Sequence, residues 1–224
     1  EGEYLNGKRN GKGKEYNKGK LIFEGEYLNG KRYGKGKEYN DKGDLIFDGE
    51  YLYGYKLKGI EYINGKLEYE GEYLYSKKWN GKGYDENGKI IYELINGNGK
   101  VKEYNWPLLF EGEYLNGKKH GKGKEYNCYN GKLMFEGEYL NDKKNGKGKQ
   151  YTDYGQLEFE GDYLNDEKWN GKIKEYNIEG KLLFEGEYLN GKRHGKGKEY
   201  NNNKLEYEGE YLNGLRNGKG KEYY

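Results

Sequence analysis

The chain has 224 residues, of which 32% are hydrophobic and 36% charged. Its 41 Lys and Arg are matched by 39 Asp and Glu and interleaved with them, which excludes the concentrated basic footprint that nucleic-acid binding requires. With 29 Tyr and 40 Gly but no Ala, one Ser (Ser76), one Thr (Thr152) and one Pro (Pro107), helix is disfavoured, and an aromatic share of 17% sets the chain apart from hydrophilic disordered segments.

The chain opens on Glu1-Gly2-Glu3-Tyr4-Leu5-Asn6-Gly7, continues to Gly11-Lys12-Gly13-Lys14-Glu15-Tyr16, and repeats this pattern at residues 24–39, 111–126, 136–151, 185–200 and 208–223. More divergent copies begin at Asp48, Glu70, Glu93 and Glu160. Residues 1–224 therefore read as a single repeat array of about ten units, starting near 1, 24, 48, 70, 93, 111, 136, 160, 185 and 208. Each unit is too small to bury a core alone and depends on its neighbours.

Each unit reads as a β-hairpin. Phe23-Glu24-Gly25-Glu26-Tyr27 and Gly34-Lys35-Gly36-Lys37 alternate in period two, and Asn29-Gly30 between them is the strongest short hairpin signal. Placing Asn29-Gly30 at the turn sets Leu28 opposite Lys31, Tyr27 opposite Arg32, Gly25 opposite Gly34, Glu24 opposite Lys35 and Phe23 opposite Gly36. The shortened fifth unit, with its turn at Asn96-Gly97, sets Glu93 opposite Lys100, Leu94 opposite Gly99 and Tyr92 opposite Val101, so the slot shared by Gly36, Val101 and Ile173 faces inward. Glycine on the aromatic face predicts rings lying on bare backbone, with the closer ring over the first glycine (Gly121, Gly195) and Gly123→Val the better tolerated substitution. Tyr39 and its equivalents fall on the opposite parity, which calls for a bulge or for apolar patches on the second face. Short turns such as Asn17-Lys18-Gly19-Lys20 join the hairpins into one elongated antiparallel all-β meander of about twenty strands, with a bend expected at Asn105-Trp106-Pro107.

Tyr207-Glu208-Gly209-Glu210-Tyr211-Leu212-Asn213-Gly214, followed by Asn217-Gly218-Lys219-Gly220, resembles the MORN (membrane occupation and recognition nexus) repeat, and the resemblance covers essentially the whole chain. The tail Lys-Glu-Tyr after the second glycine departs from the commonest eukaryotic form, and the third, fourth, fifth and eighth units depart further in loop length. The resemblance implies an elongated β-hairpin array without catalytic activity that serves as scaffold, spacer or dimerisation module, with phospholipid binding described for some members.

No catalytic, cofactor or metal site is expected. His120 and His194 occupy the repeat slot of Asn10, Tyr33 and Asn217 and are far apart along the array, so surface packing is their plainest role. Cys128 has no neighbouring His to act as base. Strings such as Gly195-Lys196-Gly197-Lys198 lack the helix that a phosphate loop needs. Paired carboxylates such as Glu24 and Glu26 recur in nearly every unit and mark the repeat rather than an acid–base pair. No acidic loop has calcium-site spacing, although Asn141-Asp142 and Asn165-Asp166-Glu167 could hold cations loosely.

Two surfaces stand out. Tyr27, Tyr51, Tyr73, Tyr114, Tyr139, Tyr163, Tyr188 and Tyr211 form a row along one face, which is either a groove for a peptide, an amphipathic helix or a second copy, or else simply packs on itself. Trp79 and Trp169 sit in units expected to have longer loops and are candidate contacts at hairpin tips. The first reading of function is a non-enzymatic scaffold mediating protein–protein interaction or self-association, through a homodimer or end-to-end assembly. The alternatives are a peripheral module binding anionic phospholipid headgroups through Lys31, Arg32, Lys118, Lys119, Lys192 and Arg193, and the repeat region of a larger protein whose catalytic domain lies elsewhere. The start at Glu1, with no initiator Met or signal-like segment, suggests a fragment. A single Cys and the lack of a long apolar run lead to an expectation of cytoplasmic placement, with attachment to cytoskeleton or membrane left open.

Overall fold

The computed structural model describes residues 1–105 and 108–224, without the side chains of Tyr104 and Asn105. Among the described residues the fold is all-β: twenty strands, each the antiparallel neighbour of the next in sequence except across one break between two sheets. They form two sheets, one running from β1 (Gly2–Leu5) to β9 (Ile90–Leu94) and the other from β10 (Gly99–Asn105) to β20 (Leu215–Glu222). The expected meander is thus divided at the shortened fifth unit, where the Ile95–Asn98 bridge closes the Asn96-Gly97 turn between strands that belong to different sheets. The chain forms two compact units, Glu1–Glu103 with Tyr114–Gly117, and Tyr104–Glu113 with Lys118–Tyr224. Of the bend expected at Asn105-Trp106-Pro107, Trp106 and Pro107 lie outside the described residues.

The turns are as the sequence requires. Asn29 (φ 50°) and Gly30 (φ 84°) are the central pair between β3 (Lys20–Leu28) and β4 (Lys31–Tyr39), and left-handed φ at both positions matches the right-handed strand twist. Successive tips are stitched together by backbone hydrogen bonds. The Gly30 amide donates to the Arg9 carbonyl (2.8 Å), Gly54 to Arg32 (2.8 Å), Gly191 to Trp169 (2.9 Å) and Gly214 to Arg193 (2.9 Å).

Near the turn the expected register holds, with Leu28 opposite Lys31 and Tyr27 opposite Arg32. Beyond it the pairing slides by two residues, so that Gly25 faces Gly36 rather than Gly34, Glu24 faces Lys37 rather than Lys35, and Phe23 faces Glu38 rather than Gly36. The cause is a bulge at the first glycine. Gly34 has φ +65°, and a Cβ there would lie 3.1 Å from the Glu26 carboxyl carbon and closer still to one of its oxygens. Gly11, Gly121, Gly146, Gly195 and Gly218 repeat this conformation with a Glu carboxylate against each. In the seventh unit the carboxylate caps the bulge by accepting from the Lys147 amide (3.0 Å). The bulge is one residue rather than two in the third, fourth and eighth units, where Gly49 faces Gly59, Gly71 faces Gly81 and Gly161 faces Gly171.

The second glycine, not the first, lies beneath the ring. A Cβ on Gly123 would come within 2.6 Å of Phe110 and 3.0 Å of Tyr139, and one on Gly36 within 2.7 Å or less of Phe23. Ile173 and Val101 are buried, as expected of an inward slot. Ile173 stands opposite Phe159, and the atoms nearest the Gly161–Gly171 pair are backbone, whereas Phe47 and Tyr69 lie on the facing glycines of the other one-residue bulges. Gly123→Ala should therefore shift the denaturation midpoint by the equivalent of about 1–3 kcal/mol through overpacking. Gly121→Asn, whose side chain tolerates left-handed φ, should cost about 1 kcal/mol or less. Urea titration of the two variants checks the order, and a larger loss at Gly121 would reverse the assignment of the ring.

Candidate interaction surfaces

One face of each sheet is closed by its own side chains. All six Phe, at 23, 47, 110, 135, 159 and 184, have no exposed surface, and Tyr69 fills the same place in the fourth unit. Phe23 lies over the Gly25–Gly36 pair, flanked edge-on by Tyr27 of its own hairpin (5.6 Å, 81°) and Tyr51 of the next (5.3 Å, 88°). Above the ring sits the Arg32 guanidinium, 4.0 Å from the centroid. Lys56 over Phe47 (4.2 Å), Lys119 over Phe110 (4.2 Å), Lys144 over Phe135 (4.1 Å), Arg193 over Phe184 (4.0 Å) and Arg216 over Tyr207 (4.1 Å) repeat the arrangement. Lys168 is 5.9 Å from Phe159, in keeping with the displaced ring of the eighth unit.

Arg32, Lys56, Arg193 and Arg216 also each bridge two glutamates of successive units. In the first compact unit the pairs run Arg9–Glu15 (2.8 Å), Glu15–Arg32 (3.0 Å), Arg32–Glu38 (2.5 Å), Glu38–Lys56 (3.3 Å), Lys56–Glu61 (3.2 Å), Glu61–Lys78 (3.2 Å) and Lys78–Glu103 (3.2 Å). In the second, Lys119 and Lys144 share Glu125, and Glu175, Arg193, Glu199 and Arg216 form a second run. Gln150 separates the two runs; it donates to Glu158 (2.9 Å), which in turn holds Lys168 (2.7 Å). Burial pushes the Glu15 carboxyl up, but the hydrogen bonds from Arg32 and Tyr27 and the nearby positive charges outweigh it and hold the group below its ordinary 4.5. At Glu61 and Glu125 burial is likewise overcome, by Lys78 and Lys56 and by Lys144 and Lys119 respectively. Lys78, pulled down by burial, is raised well above its ordinary value by Glu103 and Glu61.

The tyrosine row exists but is core rather than open groove. Tyr27, Tyr51, Tyr73, Tyr139, Tyr163 and Tyr211 are buried, while Tyr114 and Tyr188 are partly so and donate to Glu103 and to Glu175 (3.2 Å). Of the proposed lipid contacts, Arg32, Lys119 and Arg193 have their charged ends over Phe rings in ion pairs, Lys118 is partly buried, and Lys31 and Lys192 are exposed. Trp79 and Trp169 are partly buried and lie in the second strands β8 (Lys77–Tyr84) and β16 (Glu167–Tyr176) rather than in longer tips. In those units the first glycine of the second strand, Gly81 or Gly171, faces the partner glycine in place of the second, and Trp79 packs against Gly97. Sequence reasoning missed the caps: Arg32 and its equivalents were read as surface charges because nothing in the spacing shows a cation folding back over a ring.

His120 and His194 are half-buried in separate units of the repeat, and burial pushes the Cys128 thiol up, away from the reactive thiolate. Among the described residues no group of three or more His, Cys, Asp or Glu is placed to hold a metal ion, and no helix is long and apolar enough to cross a membrane.

The opposite face carries the cross-strand charges. Lys14–Glu24 (3.5 Å), Lys37–Asp48 (3.0 Å), Lys149–Glu160 (3.2 Å) and Lys174–Glu185 (3.7 Å) alternate across it. The tyrosines of opposite parity bind these glutamates, Tyr39 donating to Glu24 (2.7 Å), Tyr200 to Glu185 (2.6 Å) and Tyr223 to Glu208 (2.7 Å). A one-residue shift after Glu38 accompanies Tyr39, so that a bulge and a partly apolar second face are both present. In the second compact unit this face holds a groove of about 700 Å³ lined by Glu185, Lys196, Lys198, Glu208, Glu210 and Lys219, among others.

Hairpins stacked through shared cations define the chain as a tandem β-hairpin repeat protein. The MORN repeat model matches residues 1–20, 23–45, 110–127, 135–156, 184–204 and 207–224, more than half of the sequence, and the chain belongs to the MORN repeat family. The third, fourth and eighth units, outside these matches, are those with the one-residue bulge. No curated protein sequence matches the chain.

These ionisations predict how stability depends on pH. Glu15, Glu61, Glu125 and Glu199 have depressed folded values, so their contribution is present above pH 4.5 and is lost as pH falls below it. Tyr27 is pushed up to about 12 by burial and by its bond to Glu15, and Tyr39 and Tyr200 by burial and by Glu24 and Glu185, so their contribution is full below pH 10 and is lost as pH rises from 10 to about 12. Melting temperature against pH should show a plateau with both limbs, and tyrosinate absorbance should lag behind free tyrosine. A flat acid limb down to pH 3 would contradict the depressed carboxylates.

Proposed function

We propose that this MORN repeat array is a non-enzymatic scaffold that binds protein partners through its charged face, with the groove of the second compact unit as the principal seat. One observation carries the reading. The aromatic face is occupied by its own rings and cations, whereas the opposite face presents an alternating Glu and Lys ladder around an open groove. Such a ladder suits a segment bearing both signs of charge, and a second copy of the chain has that character. Specificity and register then come from matching charges, more than raw affinity does. The lipid reading is weakened because three of its six basic residues, Arg32, Lys119 and Arg193, are engaged over Phe rings.

The test is selection of short random peptides on the purified chain, together with its mass in solution and its sedimentation with anionic and neutral vesicles. Bound peptides should carry both charge signs and lose about tenfold or more in affinity, roughly 1.4 kcal/mol, when Lys196 and Lys198 are changed to Glu. Binding should weaken as salt is raised. Sedimentation with anionic vesicles alone, abolished by salt while selection yields no groove-dependent peptide, would replace the scaffold by the lipid module.

A further inference from the structure

Two hairpin tips of the first compact unit break the rule that governs the others. At the first turn position eight units place Asn, at 6, 29, 96, 116, 141, 165, 190 and 213, with φ between 50° and 53°. The third and fourth place Tyr53 (φ 51°) and Tyr75 (φ 49°) there instead. Asn tolerates this left-handed conformation through its short polar side chain, whereas a bulky aromatic residue is strained in it. The strain gains nothing in the core, since both rings are exposed, Tyr53 by 58% and Tyr75 by 73%. Backbone strain that the fold does not need points to a surface held for use.

The rings are organised with their neighbours. Tyr53 packs edge-on to Tyr33 of the preceding tip (6.1 Å), and Tyr75 to Tyr55 (5.6 Å, 86°), and all four side chains are exposed. The tips themselves carry one sign of charge. Residues 27–33, 51–58 and 73–79 contain no Asp or Glu, and Lys31 and Lys77 are exposed there, whereas Lys58, farther along its strand, stands opposite Glu50 and Glu72. In the second compact unit the tips at 139–145 and 163–169 carry Asp142, Asp166 and Glu167, while those at 188–194 and 211–217 carry no acid.

We propose that Tyr33, Tyr53, Tyr55 and Tyr75, with Lys31, form a second docking surface for a protein segment in which Asp or Glu alternates with aromatic or aliphatic side chains. Exposed tyrosines offer rigid apolar area and a hydroxyl at low entropic cost, and tips that carry Lys but no acid favour carboxylates beside the apolar anchors. The surface is distinct from the charged groove and stands whether or not the groove is used.

The test uses the full chain and the variant Tyr53→Asn/Tyr75→Asn, which installs the turn residue of the other units. Its melting temperature should equal or exceed that of the parent, because the strain is relieved. Random peptides selected on the parent and counter-selected on this variant should be net acidic with adjacent apolar residues. They should bind the parent about tenfold or more tighter than the variant, and bind equally well when Lys196 and Lys198 are changed to Glu. Loss of binding in that groove variant would assign the peptides to the groove. A lower melting temperature would refute the strain argument. Enrichment of basic or uncharged peptides, no enrichment, anionic-vesicle binding abolished in the Tyr variant, or a dimer abolished in it would each overturn the proposal.

Discussion

The structure depends on one arrangement: a phenylalanine ring lying on two facing glycines and covered by a cation. A single-layer sheet has no second layer to bury its apolar face, and this chain supplies the cover from the same hairpin. Phe23 gains contact with bare backbone at Gly25 and Gly36, edge contacts with Tyr27 and Tyr51, and the Arg32 guanidinium above. Burying the ring is worth about 2 kcal/mol, each edge contact about 0.5–1.5, and the cation about 1–2 where it is partly desolvated. The glycines are therefore part of the core, since any Cβ at Gly36 would occupy the volume of the ring.

The same cation makes the array cooperative. Arg32 holds Glu15 of the preceding hairpin and Glu38 of its own, and its ring neighbours include Tyr51 of the following one. A unit that cannot fold alone is thereby tied to both neighbours by apolar and ionic contacts at one point, as nearest-neighbour models of repeat arrays require. Exposed ion pairs are worth little, but these sit half-buried over rings where screening is reduced. Interruption at Gln150 shows the constraint at work: with Glu158 already holding Lys168, an amide that both donates and accepts takes the place of a second carboxylate, bonding Glu158 and receiving the Tyr163 hydroxyl.

Much of the fold was legible in the sequence because its signals are local. Asn29-Gly30 fixed the turn, period-two alternation fixed the strands, and the inward slot of Val101 and Ile173 was read from their replacing Gly36. The register beyond Tyr27 was not legible, because Gly34 reads as an ordinary strand residue while its conformational freedom serves a bulge against Glu26. That slide of two residues exchanged the roles of the two glycines. It also hid the cation caps, since Glu38 comes opposite Phe23 only after the slide. The tyrosine row was correctly placed on one face, but its burial depends on Arg and Lys side chains folding back, which periodicity does not encode. The strained turns at Tyr53 and Tyr75 became visible only against the φ values of the other tips.

The most direct measurement of the cation-capped core is amide hydrogen exchange of the Arg32→Met variant against the parent chain. Methionine keeps much of the side-chain volume and removes the charge. If Arg32 ties three hairpins together, protection should fall in β2 (Lys8–Asn17), which carries Glu15, and in β5 (Leu45–Leu52), which carries Tyr51, as well as in β3 and β4. Unchanged exchange, or a loss confined to β3 and β4, would contradict the account.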